Sequence, residues 1–430
     1  MKPEDLRNLF IELTSKLNSV HNELPAELYF HALMGAWLKN IRILRAGFIR
    51  GDLRTSILWV QQSRSGKGVL NKVLTDICEK LGVTVVTETE ITTAGLIGYP
   101  DEEAQKYNLL HNLTEEDPVK EGKNGASYVW QDPMVKGDLG DYEIIIIDEA
   151  KVLLEPTKFT EQLLTVLQPV LDSPGWVRKK LRSKIAVEYQ CSPTIIATTY
   201  YFESMQGVIA NQGFFQRVAF YKRDLSSKEI LEMRDKQAQN ANDEATKEYK
   251  IKLKKFISMM QQISRDEQII KLSNGANKCL KKLRYKYFDQ IVKDLTGNEL
   301  KAAQSFSNTI EELTIKIAGQ YAVISGKKII DAGNIAQAYF LAKKVIDTVI
   351  TKIEIREKVD EEKEIKAIMM LLKKYDRKVT KMQFYKVMGS QLNWSFNKCQ
   401  KKLSKLIDGN YIEEIPGEKN TKYLALKGTK

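Results

Sequence analysis

The sequence predicts an α/β protein built on a parallel sheet, with a helical lid region and a small C-terminal domain after it. Three observations predict this. The stretch Ile57-Leu58-Trp59-Val60-Gln61-Gln62-Ser63-Arg64-Ser65-Gly66-Lys67-Gly68-Val69-Leu70 is an apolar β-type run, then a polar turn with Gly-Lys at its far side. A helix follows, with Val69, Leu70, Val73, Leu74 and Ile77 at spacings of three and four. Next, Ile144-Ile145-Ile146-Ile147 runs into Asp148-Glu149. Four β-branched residues in a row read as a strand buried on both faces, hence a parallel sheet. Finally, strand-like and helix-like stretches alternate between 51 and 222, the pattern of a parallel sheet with helices on both faces.

Strand, turn with Gly-Lys, then helix is the layout of a phosphate-binding loop. Backbone N–H groups and a helix N-terminus hold phosphate oxygens while the lysine adds a point charge. The candidate nucleotide-binding residues are Gln62, Ser63, Arg64, Ser65, Gly66, Lys67, Gly68 and Val69. The usual pattern has Gly where Gln61 stands and a hydroxyl residue where Gly68 stands. Two carboxylates at the C-terminal end of a parallel strand lie where α/β sheets bind ligands. There Asp148 would hold Mg²⁺ and Glu149 would orient or deprotonate an attacking water. Together the two stretches predict a nucleoside-triphosphatase using Mg²⁺.

The 430 residues suggest two to four domains. A net charge of +12 and a pI near 9.1 point to a polyanionic partner. Cys78, Cys191, Cys279 and Cys399 form no C-x-x-C pair, which argues against a zinc knuckle or disulfide framework and fits a reducing cytoplasm. His21, His31 and His111 show no ligand spacing. No stretch approaches the ~18 apolar residues of a membrane span, so a cytoplasmic protein is expected.

In chain order, residues 1–50 read as a helical packing or oligomerisation subdomain, with Leu6, Phe10, Leu13 and Leu17 on one face. Residues 51–222 form the core, with strands expected at 56–60, 83–87, 143–147, 193–199 and 217–222. The polar, turn-rich segment between Gly98 and Lys136 reads as a long inserted loop. Around 176–187 a β-hairpin is expected, its tip bearing Lys179, Lys180, Arg182 and Lys184 as a polyanion contact in preference to a solvated basic turn. Strand 193–199 ends in hydroxyls able to sense a γ-phosphate or water. Arg217 enters an apolar strand, either as a surface residue or as an arginine reaching a neighbouring subunit's nucleotide. Residues 223–352 read as a charged connector and helical lid, where Lys316 is a phosphate sensor or a plain surface lysine.

Residues 359–430 hold 16 Lys and Arg against 9 Asp and Glu, so most of the excess positive charge lies there. The order helix 363–374, helix 381–388, helix 395–408, strand 411–415 and strand 422–426 reads as a winged helix over 360–430. Its third helix, with Lys398, Lys401, Lys402 and Lys405, is the major-groove candidate, although such domains also bind proteins.

Several stretches resemble one known family. Thr92-Thr93-Ala94-Gly95-Leu96 resembles the run before its helix-2 insertion, and Gly137-Asp138-Leu139-Gly140 is similar to its approach to the acid pair. Leu167-Gln168-Pro169-Val170-Leu171, through Ala186-Val187 to Cys191-Ser192, resembles its pre-sensor hairpin region. The family is the minichromosome-maintenance (MCM) type of AAA+ hexameric helicase, above all the shortened forms carried by phages and mobile elements. The resemblance covers 51–222 well and 300–350 loosely.

It implies a ring, usually of six subunits, with ATP between neighbours. Lys67, Asp148, Glu149 and a sensor threonine (Thr199 or Thr198) would act in cis, and Arg217 in trans. The hairpin tip would grip single-stranded or forked DNA in the channel, and a primase or other replication protein is a further expected partner. The sequence departs from the family at Gln61, at Gly68, in having threonine where the sensor is usually asparagine, and in lacking a clear lid arginine. The expectation is an ATP-dependent DNA helicase or translocase. The alternatives are an ATP-binding initiator or switch that does not unwind, and a non-enzymatic DNA-binding scaffold.

Overall fold

In the computed structural model, residues 1–16, 21–45, 48–63, 65–89, 91–121, 127–132, 134–153, 158–173, 175–180, 186–200, 214, 217–239, 243–287, 297–345, 347–348, 368, 378–392, 396–408, 412–416 and 422–426 are described. The chain divides into two compact units, Met1–Thr351 and Lys352–Lys430.

The first unit is organised by a five-stranded sheet in the order Ala219–Lys222, Ile57–Val60, Thr194–Thr199, Ile144–Ile147, Val85–Glu88. Every neighbouring pair is parallel. The three inner strands are buried at every residue, as expected for a sheet covered on both faces. These are the five strands the apolar runs foretold, with ends shifted by one or two residues. The shift matters at Arg217: the last strand begins at Ala219, so this arginine precedes it.

The N-terminal 50 residues are not all helical. Helices Pro3–Lys16 and Glu23–Trp37 give way to strands Ile41–Arg45 and Phe48–Asp52. Ile41-Arg42-Ile43 alternates apolar and polar, the period of a strand. These strands belong to a second sheet, ordered Ile329–Ile330, Gln268–Leu272, Ile41–Arg45, Phe48–Asp52. Ile41 pairs with Gln268, so the helical reading within 223–352 also gives way to strands at Gln268–Leu272 and Ile329–Ile330. The stretch read as a charged connector is packed as well. Helix Asp243–Gln261 buries Leu253, Phe256 and Met260, and Phe256 meets Phe10 at 5.6 Å. The long helix Gly297–Ile324 sends buried Gln320 into the same seam. Its amide donates to the Leu53 carbonyl at 2.8 Å and the His31 carbonyl at 2.9 Å, while its oxygen meets His31 Nδ1 at 2.6 Å.

The 99–135 insertion has structure of its own. It carries helix Glu102–His111 and two small antiparallel pairs, with His111 stacked on Tyr128 at 3.7 Å. Its neck closes on glycine. Gly98 has φ +79°, and a Cβ there would lie 1.9 Å from the Val135 carbonyl oxygen.

In the second unit, helices Lys381–Leu392 and Phe396–Asp408 pack on a three-stranded antiparallel sheet. The sheet order is Lys378–Thr380, Lys422–Leu426, Ile412–Pro416. Phe384, Met388, Leu403, Leu406 and Leu424 share its core. Strand Lys378–Thr380 has too few residues to show a period and was not expected. The helix expected at 363–374 lies outside the described residues except at Ile368.

Candidate functional site

The loops leaving the carboxyl ends of strands Ile57–Val60, Ile144–Ile147 and Thr194–Thr199 frame a cavity of about 570 Å³. That is the size of an ordinary ligand pocket. Lys67, Asp148, Glu149 and Thr199 line it together with Ser63, Ser65, Gly66, Gly68 and Val69 of the loop. A larger cavity of about 680 Å³ lies among helices, lined by Arg7, Glu12, Glu23, Glu27 and Lys344, away from the loops at the sheet's carboxyl end.

Helix Lys67–Leu81 starts where Gly66 turns left-handed at φ +88°, a conformation glycine adopts without strain. Lys67 Nζ donates to the Gln61 carbonyl at 2.6 Å and the Gln62 carbonyl at 2.9 Å, so the lysine is folded back over its loop. Burial pushes its ammonium down to about 8, against the upward pull of Asp148 and Glu149. At Gly68 a Cβ would meet open space, so the absent hydroxyl is not excluded by crowding.

Asp148 is held from two sides. Thr198 Oγ1 donates to its Oδ1 at 2.6 Å, and the Glu149 amide donates to the same oxygen at 3.2 Å. Thr199 lines the cavity, but its hydroxyl faces the Tyr200 carbonyl at 3.4 Å. The two threonines expected as alternatives thus divide the work: Thr198 orients the acid and Thr199 borders the cavity. Glu149 has φ +56°, uncommon for a residue with a side chain, and such backbone strain collects at functional sites.

The glycine expected at position 61 is replaced by a buried glutamine that finds its partner in the N-terminal segment. Gln61 Nε2 donates to Asn22 Oδ1 at 3.3 Å, and Asn22 Nδ2 donates to the Ser65 carbonyl at 2.6 Å. Gln62 has a different task from ligand contact. Its side chain donates to the Leu225 carbonyl at 2.6 Å and accepts from the Leu225 amide at 2.9 Å. Leu225 leads into helix Ser227–Gln239, whose Ile230, Met233 and Arg234 form a further wall of the cavity. None of Asn22, Ile230, Met233 or Arg234 was a candidate from sequence. The one local signal was Ser226-Ser227-Lys228-Glu229, a capping box marking the helix start.

Arg217 does not join this cavity in its own chain. It lies at the amino end of the sheet, where its Nε donates to Asp172 Oδ1 at 2.7 Å. A four-residue strand spans about 13 Å, so the sheet separates it from Lys67. Lys316 lies at the same end, in a cavity of about 380 Å³ with Arg54 and Arg217, and burial pushes its ammonium down.

The expected hairpin forms, Gly175–Lys180 against Ala186–Cys191, with Lys179 opposite Val187 and Lys180 opposite Ala186. Arg64, Arg182 and Lys184 lie outside the described residues, as do the side chains of Lys179 and Lys180. Lys398, Lys401 and Lys402 fall in helix Phe396–Asp408, whose Cys399, Leu403 and Leu406 are buried; the three lysine side chains are likewise outside the described residues.

Among the described residues no group of three or more His, Cys, Asp and Glu side chains is placed to hold a metal. Mg²⁺ keeps several waters and takes one or two carboxylates plus substrate phosphates, so Asp148 alone, oriented by Thr198, fits that ion as a donor. No helix among the described residues is long and apolar enough to cross a membrane. Compared with known proteins, the chain matches no family model and no curated protein.

Proposed function

We propose that the chain is an ATP-dependent DNA helicase or translocase of the ring-forming AAA+ type, serving replication of a phage or mobile element. One observation carries the reading. A phosphate-loop lysine and an Asp-Glu pair from separate loops converge on one cavity at the carboxyl end of a parallel sheet. That is where such sheets bind nucleotides. Lys67 would leave its carbonyl partners for phosphate oxygens, and Asp148 would hold Mg²⁺, which neutralises charge on the phosphates. Glu149, exposed beside it, would orient the attacking water. Arg217, out of reach of its own loop, would serve a neighbour's nucleotide across a homo-hexamer interface. The 175–191 hairpin and a winged-helix reading of the second unit supply the DNA contacts.

The test is ATP hydrolysis and strand displacement on a forked duplex by wild type, Lys67→Ala and Glu149→Gln. The expected result is DNA-stimulated hydrolysis in wild type alone, with nucleotide binding lost in Lys67→Ala and kept in Glu149→Gln. Equal hydrolysis by all three proteins rules the reading out. A second reading, an initiator that binds ATP without unwinding, is favoured by Gly68, where the metal-facing hydroxyl is missing. Salt-sensitive DNA binding without displacement would select it.

A further inference from the structure

The wall formed by helix Ser227–Gln239 is fastened to the phosphate loop. Gln62 clasps both the amide and the carbonyl of Leu225, just ahead of the helix. Ser226 then caps it: Glu229 Oε2 accepts from the Ser226 amide at 2.8 Å, and the Glu229 amide donates to Ser226 Oγ at 3.3 Å. The side of the helix carrying the acids is held as well, with Glu229 on Arg223 and Glu232 on His21. The residues left for the cavity are Ile230, Met233 and Arg234, which share a face at helical spacing.

Of the charged residues on this helix that are unpaired among the described residues, Arg234, Asp235 and Lys236, Arg234 is the one that lines the cavity. Arg223 pairs with Glu229 and Lys228 with Glu232, but Arg234 makes no ion pair or hydrogen bond among the described residues. Among the described residues, the charged side chains lining the cavity are Lys67, Arg234, Asp148 and Glu149. Of these, Lys67 and Arg234 are the two cations able to meet phosphate oxygens, one from the loop and one from the helix.

We propose that Arg234 is a phosphate-contacting residue supplied by the same chain as Lys67, so that a nucleoside polyphosphate is held between the loop and the helix that Gln62 docks onto it. The proposal rests on the nucleotide reading above. A guanidinium suits the task, because its planar fork donates two parallel hydrogen bonds to phosphate oxygens. Contact with phosphate, rather than base or ribose, predicts that its contribution grows with the number of phosphates.

The experiment titrates the full-length protein with ATP, ADP and AMP in Mg²⁺ buffer by calorimetry. It is run at a protein concentration where the chain is monomeric, which removes any contribution from Arg217 of a neighbour. Arg234→Ala is expected to weaken ATP about ten- to a hundredfold, the range for hydrogen bonds to a charged group, ADP less, and AMP hardly at all. Arg234→Lys should recover part of the loss. The melting temperature should stay put, since the side chain has no partner to lose. An unchanged ATP affinity in Arg234→Ala overturns the proposal, and so does an equal loss for all three nucleotides. Lys67→Ala separates the two levels: if it still binds ATP as wild type does, the nucleotide reading itself fails.

Discussion

The ammonium of Lys67 rests on carbonyls of its own loop, in surroundings that favour its neutral form. The charged form is the one a polyphosphate needs. With the free-state value near 8, about nine-tenths of the protein carries the charge at pH 7 and about one-tenth at pH 9. ATP affinity should therefore fall about tenfold between those pH values. Calorimetry at pH 7, 8 and 9 tests it, and Lys67→Arg should give a flat profile. His31 works in the other direction. Burial holds it down to about 4, so between pH 6.5 and 4 the unfolded chain binds a proton that the folded chain refuses. Stability contributed by the neutral imidazole is present above pH 6.5 and lost as pH falls toward 4, by about 3 kcal/mol at most. Denaturant unfolding across that range should show this loss in wild type and a shallower slope in His31→Gln.

The hairpin and the insertion carry their own consequences. If the lysines and arginine expected at the 176–187 tip touch phosphates, each contact to a single strand contributes about 0.7 to the slope of log affinity against log salt. Replacing Lys179, Lys180, Arg182 and Lys184 together by alanine should flatten that slope by two to three, on the order set by the same rule. A slope left unchanged removes the hairpin from the DNA contact. The insertion depends on its glycine neck. Gly98→Ala would put a methyl 1.9 Å from the Val135 oxygen at a left-handed φ, so the base of the insertion cannot close as it does. Hydrogen exchange should rise across 99–135 in that variant while strand Ile144–Ile147 keeps its protection.

Across the molecule, the division at Thr351 makes a fragment of residues 1–351 the natural independent piece. It should fold and, on the proposed function, match the full chain's affinity for ATP. A chain starting at Gly51 should not, because it lacks the strand pairing with Gln268–Leu272 and the Asn22 brace on Ser65. Circular dichroism and thermal melts of the two fragments decide this.

The difference between those fragments also marks what the sequence made legible. The five parallel strands were readable because each is a local apolar run, Asp148 and Glu149 because they end one, and Lys67 because it follows another across a short polar turn with glycine. The second sheet was not, since Ile41–Arg45 acquires its meaning only beside a distant strand. Arg234 and Asn22 were hidden for the same reason: ordinary polar residues become part of a site through packing. The capping box at Ser226 and Glu229 announced the helix but not the cavity it faces.

The pairing of Ile41 with Gln268 has a temporal side. On a ribosome adding five to twenty residues each second, the earlier strand emerges on the order of ten to forty seconds before its mate exists. Through that interval its outward N–H and C=O groups form an open edge of the kind that invites adhesion to other nascent chains. Fast, abundant expression should therefore favour inclusion bodies, and slowing translation should raise the soluble yield.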